Sequence, residues 1–301
     1  MRVLRISRIA LVLLVCLPRR VQAISGLEYR RWGLGQLDEP NEIANVMKAD
    51  DLRQFLAAPN EFLRMAAVRR LGALEGVEAI GPLVEIMEKE LTPKGLDQLP
   101  LVKLEAIRTI GRIGGDGART ALLKMLRYYW ENGPNVKDKR CYRLDRDFAP
   151  VVCLLLQELG RWPWDGDILE QAKKIAFSEE TQKYYAYPGD IGQCAWELYL
   201  QCDMERKGIR AEREIGLYLF KSLEEVSGPL RPGTIAFMKR FAARALLARL
   251  SDGALKSLVG EFEREYRETP MAKGDRYTER HTILRTRISC IKKVLRDKAR
   301  L

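Results

Sequence analysis

A single histidine, His281, limits the chemistry open to this chain. A zinc protease needs two histidines on one helix face, and metal hydroxylases need paired His-Glu motifs, so neither site can be assembled. His281 stands among Glu279, Arg280 and Thr282 near the start of the last helix and is expected to be an ordinary surface residue. Ser289-Cys290-Ile291-Lys292 has the spacing of a nucleophile beside a lysine base. No Ser-Asp-Asn or Lys-Thr-Gly element accompanies it, so chance accounts for the match. Asp165-Gly166-Asp167 opens like a calcium loop, but Leu169 stands where the next oxygen ligand belongs. Glu261, Glu263 and Glu265 are spread around a helix axis by their spacing, as a solvated face and not as a general acid/base pair. No Gly-Lys-Ser/Thr phosphate loop, Gly-x-Ser-x-Gly elbow or Cys-x-x-Cys pair occurs. The sequence therefore predicts no catalytic residue, no cofactor site and no metal ligand.

Binding chemistry is better represented. Lys124, Arg127, Tyr128 and Trp130 crowd the end of one predicted helix, and Trp162 and Trp164 flank a later turn. Tyr184, Tyr185 and Tyr187 fall on a predicted aromatic loop over 181–189. Aromatics and arginine dominate the energetics of protein interfaces, which makes these nine the candidate protein-contact residues. Filling the seams between stacked helices is their plainer role, and it is the stronger expectation for each group.

The elements that carry these residues repeat. Ala67, Leu71, Gly72, Leu74, Ala79, Leu83 and Met87 recur without a gap as Ala106, Ile110, Gly111, Ile113, Ala118, Leu122 and Leu126, 39 positions on. A fixed period of this length with two apolar helical patterns per unit predicts stacked helix pairs, an all-α, α-α superhelix of about five pairs. Asn60 should cap the first full helix, with Phe62, Leu63, Ala66, Ala67 and Leu71 as its apolar stripe. Gly72 should allow close packing, and Pro82 demands a bend or a late start in the second helix. Asp116 should cap the helix after the 114–117 turn, and Asp167 with Glu170 should form a capping box. Helices are further expected at 41–47, 51–58, 147–160, 191–202 and 212–226, with longer connections at 91–100 and 131–147. The pattern returns at 241–262. A final helix then sets Leu284, Ile288, Ile291 and Leu295 on one side as a closing cap.

The motif at 67–87 and 106–126 resembles the HEAT-repeat superfamily, in the variety found in phycobilisome-lyase-type HEAT proteins. That variety has an early basic residue in its first helix, matched by Arg64, Lys103 and Arg240 but not by Val152. Its Ala-Leu-Gly-x-Leu signature stands here as Arg70-Leu71-Gly72-Ala73-Leu74 and Thr109-Ile110-Gly111-Arg112-Ile113. The Gly-Asp turn is kept at Gly115-Asp116 and eroded at Glu75-Gly76. The resemblance implies a solenoid and a scaffold or binding role, and no chemistry, because the motif residues are packing residues.

The N-terminus reads as a secretory signal over 1–23: Arg2, Arg5 and Arg8, an apolar run over 9–17, then Val21-Gln22-Ala23 before a cut. An uncleaved anchor, a lipoprotein at Cys16 and a cytosolic chain are the alternatives. Residues 24–58 would then be a lead-in and cap, and 59–301 the helical array. Removing 1–23 takes away five of the 52 basic residues, leaving a net charge of +6. Residues 276–301 alone carry +7, so the rest of the mature chain is close to neutral. That terminal helix is a solvated cap or a contact for anionic partners, a membrane surface among them. Five cysteines remain, at spacings that form neither a disulfide framework nor a metal knuckle, and are expected to be mostly buried apolar residues.

These features predict an exported, periplasmic, non-enzymatic scaffold or adaptor that binds another protein through its concave face, with no cofactor. A cytosolic nucleic-acid-binding HEAT protein and a HEAT-type lyase or cofactor chaperone are the alternatives. Nucleic acid is disfavoured by the near-neutral body.

Overall fold

The computed structural model describes residues 43, 46, 48–89, 100–132, 148–163, 165–184, 190–224, 232–271 and 278–300. Every regular element among them is helical. A short helix α1 (Ala49–Arg53) runs into a 3-10 turn (Gln54–Ala57) and is followed by α2 (Glu61–Glu75), α3 (Ile80–Lys89), α4 (Leu101–Ile113) and α5 (Gly115–Asn132). Then come α6 (Phe148–Leu159), α7 (Gly166–Ala176), α8 (Glu179–Tyr184) and α9 (Ile191–Arg206). The remainder is α10 (Glu212–Glu224), α11 (Pro232–Leu247), α12 (Asp252–Glu268) and α13 (Glu279–Lys298). No described helix is long and apolar enough to cross a membrane.

Local chemistry sets the boundaries. The Asn60 side chain accepts from the Phe62 N–H at 2.9 Å, so α2 starts where a cap was expected. Arg64, the early cation of the motif, donates to the Ala58 and Pro59 carbonyls at 2.7 and 3.1 Å and ties α2 to the turn before it. Gly76, at φ +57°, ends the helix, and a 3-10 turn (Gly76–Ala79) delays α3 until Ile80. Pro82 thus falls in a first turn, where its missing N–H has no helical acceptor to lose. Gly114, at φ +73°, alone separates α4 from α5.

Several expected boundaries move. Asp116 lies inside the first turn of α5 and pairs with Arg119 at 3.4 Å instead of capping. Asp165, not Asp167, caps α7, accepting from the Asp167 and Ile168 N–H groups at 2.7 and 3.4 Å. Residues 181–184 continue α8 and are not loop. Phe62 is 50% exposed and Leu74 is 38% exposed, although the spacing gives both apolar positions. The expected features at 91–99, 133–147 and 185–189, and most of 41–47, lie outside the described residues.

The helices pack on their neighbours in an alternating order. α2 packs on α4, α4 on α6, α6 on α9, α9 on α11 and α11 on α13. The intervening helices also meet: α3 with α5, α5 with α7, and α10 with α12. Equivalent motif positions do equivalent work, since Ala67, Leu71, Ala79, Leu83 and Met87 are buried, as are Ala106, Ile110, Ala118, Leu122 and Leu126. The two motif glycines mark the same seam. A Cβ on Gly72 would lie 2.1 Å from Thr109 Cγ2 of α4, and one on Gly111 would lie 2.3 Å from Glu158 Oε2 of α6. Each glycine therefore lets one helix approach the next but one. α6, buried nearly all round, is the middle of this row, in contact with α4, α5 and α9.

Candidate functional site

The structure divides the sequence-predicted contact residues into separate places. Lys124, Arg127 and Tyr128 are exposed on one face of α5. Arg127 reaches Asp167 of α7 at 3.3 Å, Arg119 reaches Asp165 at 3.0 Å, and Lys174 of α7 reaches Glu131 at 3.2 Å. These pairs hold α5 and α7 side by side. Tyr128 is 47% exposed and sits edge-on to Tyr129, whose hydroxyl donates to the Met87 carbonyl at 2.8 Å. Trp130 is not on this face; it stacks on Phe148 of α6 with centroids 6.0 Å apart, filling a seam. Trp162 lies in the turn after α6, and Tyr184 closes α8. Trp164, Tyr185 and Tyr187 lie outside the described residues.

Trp162 faces an open groove of about 670 Å³, which also takes Pro163, Met204 and Ile209 and is closed by Ile215 at the start of α10. Arg161, Gln201, Glu205 and Arg210 supply its polar edge. Gln201 donates to the Gly160 carbonyl at 2.5 Å, pinning the α6 turn against α9. Gly208, at φ +70°, lets the chain turn after α9, and the Ile209 N–H returns to the Met204 carbonyl at 3.0 Å. Asp203 anchors the far wall, accepting from Arg206 at 2.6 Å, Lys207 at 2.7 Å and the Tyr218 hydroxyl at 2.5 Å. Burial pushes the Asp203 carboxyl up, but the bonds from Lys207, Tyr218 and Arg206 outweigh it and hold the carboxyl below its usual range. Arg161 is drawn to Glu158, which is buried, at 2.7 Å. Burial outweighs the pull of Arg161, Arg108 and Arg112 and raises the Glu158 pKa.

Sequence reasoning placed Trp162 but missed Met204, Ile209, Arg210 and Ile215. The groove joins three segments through tertiary packing, and α9 and α10 carry little of the repeat pattern that guided the reading elsewhere. The proline after Trp162 was the available signal.

Among the described residues no group of His, Cys, Asp or Glu side chains is arranged to hold a metal. Glu261, Glu263 and Glu265 pair outward with three different cations: Arg213 at 2.7 Å, Lys292 at 2.6 Å and Arg280 at 2.8 Å. Lys292 is thereby engaged away from Ser289. His281 corrects the expectation of a surface residue, being only 3% exposed. It occupies the third position of α13, forms a capping box with Thr278, and packs edge-on to Tyr266 at 5.0 Å. An imidazole suits both tasks, offering an acceptor to the Thr278 N–H and a ring to the core. Cys153, Cys194 and Cys202 are buried free thiols. Burial pushes the Cys153 thiol well up and Cys202 to about 12, so neither supplies a thiolate nucleophile.

No family model, curated protein or solved structure matches this chain.

Proposed function

We propose that this chain is an exported, non-enzymatic scaffold, a HEAT-like solenoid of about five helix pairs that binds another protein. In this reading α2, α4, α6, α9 and α11 each lead one unit, and α13 closes the end. The observation that carries the reading is the recurrent seam, where Gly72 admits α4 and Gly111 admits α6 in the same register. A stack built this way satisfies each pair's apolar stripe internally and leaves long surfaces for contact, which is the economy of repeat proteins. Two surfaces suit a protein partner: the α5 face with Lys124, Arg127 and Tyr128, and the apolar groove beside Trp162 with Arg161 and Arg210 at its edge. Both favour a partner segment offering carboxylates beside an apolar side chain.

The test is site-specific photocrosslinking in the native cells. A photoreactive residue replaces Tyr128, Trp162 or, as a remote control, Gly260. One partner protein should be captured from positions 128 or 162 and not from 260. Equal capture from all three, or none from 128 and 162, overturns the proposed surface. Fractionation of a C-terminally tagged chain tests export, and recovery in the cytosol alone overturns that part.

A further inference from the structure

The terminal segment, α13 with the two residues after it, separates its cations into two sets. Arg280, Arg287, Lys292 and Lys298 are engaged within the fold. Arg280 bonds Glu265 at 2.8 Å, Lys292 bonds Glu263 at 2.6 Å, and Lys298 reaches Asp252 and the Leu250 carbonyl, both at 2.7 Å. Arg287 lies over the Phe262 ring, 5.1 Å from its centroid. Arg285, Lys293, Arg296 and Arg300 are exposed and have no ion-pair partner among the described residues.

Arg285, Ser289, Lys292 and Arg296 follow one another at spacings of 4, 3 and 4, so they form a single stripe about 16 Å long. Lys293 and Arg300 stand beside it, with Thr282 and Thr286 completing the exposed surface. Apart from Glu279 at its first position, the acidic residue of α13 is Asp297, which is half-buried and paired with Arg244. The opposite side, with Leu284, Ile291 and Val294, is buried against α11 and α12. α13 therefore presents a cationic face at the end of the stack.

We propose that this face docks the protein on an anionic phospholipid bilayer. A bilayer is broad, flat and negative, and a row of cations on a straight helix can meet it without matching a shape; each such charge adds affinity near the surface. A nucleic acid fits less well, because the stripe carries no aromatic side chain to stack on bases, and the open depression of about 500 Å³ along it is floored by Ile288 and Leu295.

The experiment uses the full chain and sedimented vesicles of phosphatidylcholine, with or without a third of anionic phosphatidylglycerol. Binding should require the anionic lipid and weaken as salt rises from about 0.05 to 0.5 M, where screening shortens the range of the attraction. The quadruple variant Arg285→Gln/Lys293→Gln/Arg296→Gln/Arg300→Gln should lower the partition coefficient by up to about a thousandfold. Its thermal melt should match the parent, since all four side chains are exposed and unpaired. Lys48→Gln/Lys173→Gln, which removes exposed cations from other elements, should bind vesicles as the parent does. No binding to anionic vesicles at low salt, equal binding by the quadruple variant, or an equal loss in that control overturns the proposal. So does tight binding to duplex DNA with none to vesicles.

Discussion

Substituting Gly72 by alanine tests the seam on which the stacked arrangement depends. Two effects oppose each other. In the interior of α2, alanine improves helix propensity by about 1 kcal/mol. Its methyl would, however, sit 2.1 Å from Thr109 Cγ2, well inside contact distance. Thr109 is 2% exposed and β-branched, so it has little freedom to swing away and α2 must back off from α4. Overpacking of this kind costs about 1–3 kcal/mol, and the short distance and stiff neighbour place the site toward the upper end. The expected net loss is about 1–2 kcal/mol, read as a lower midpoint in guanidinium unfolding and a fall of roughly 3–8 °C in Tm. Thr109→Ser removes the obstructing methyl and keeps the hydroxyl, so the double variant should recover most of the loss, with a coupling energy of about 1 kcal/mol or more. Gly260→Ala is the control: mid-α12, exposed, with nothing within 4 Å of the new Cβ. It should stabilise by up to about 1 kcal/mol through propensity alone. If Gly72→Ala stabilises as Gly260→Ala does, or if Thr109→Ser brings no recovery, α2 and α4 are not in intimate contact and the seam argument fails.

Glu105→Ala should be more damaging. Glu105 is fully buried and accepts from Arg112 at 2.6 Å and Arg69 at 3.1 Å, while both arginines reach solvent, so its loss removes two charge-assisted bonds at a cost of about 2–3 kcal/mol by chemical unfolding; a change under about 1 kcal/mol refutes the reading. Asp190 caps α9, accepting from the Ile191 N–H at 2.8 Å, while burial raises its pKa to about 6. The folded state therefore holds the proton more tightly than the unfolded state, and its carboxylate form is penalised progressively from about pH 4 to pH 6. Asp190→Asn keeps the cap without the charge, so its stability relative to the parent should rise over that window by about 2–3 kcal/mol; a pH-independent difference between the two refutes the assignment.

Much of the packing was legible because the repeat is a repeat of contacts. Ala67 and Ala106, or Leu83 and Leu122, share a type because each meets the same kind of neighbour, and all four are buried. Periodicity failed where it could not say which neighbour covers a face. Phe62 has the right spacing for the stripe and is half exposed, since spacing places a residue on a face without supplying the neighbour that would cover it. His281 failed for a different reason: charged and polar sequence neighbours suggested solvent, but a helix start needs acceptors and Tyr266 needed a ring beside it. The Trp130 group split because residues adjacent at a helix end point in different directions, so Trp130 joins Phe148 while Tyr128 faces out.

The groove shows where a one-dimensional reading stops. Trp162, Met204 and Ile215 come from three elements brought together by packing, and Gln201 and Asp203 secure the walls from positions with no repeat counterpart. In a stack, the residues that recur are those facing the next unit, because that demand recurs. Residues that face a partner answer to the partner, so they need follow no period. The motif glycines and the groove are thus complementary signals: Gly72 and Gly111 mark surfaces satisfied within the chain, and the unrepeated cluster around Trp162 marks a surface that stacking leaves open. The bare cations of α13 are of the same kind, since every cation the fold itself uses on that helix has a carboxylate, carbonyl or ring beside it.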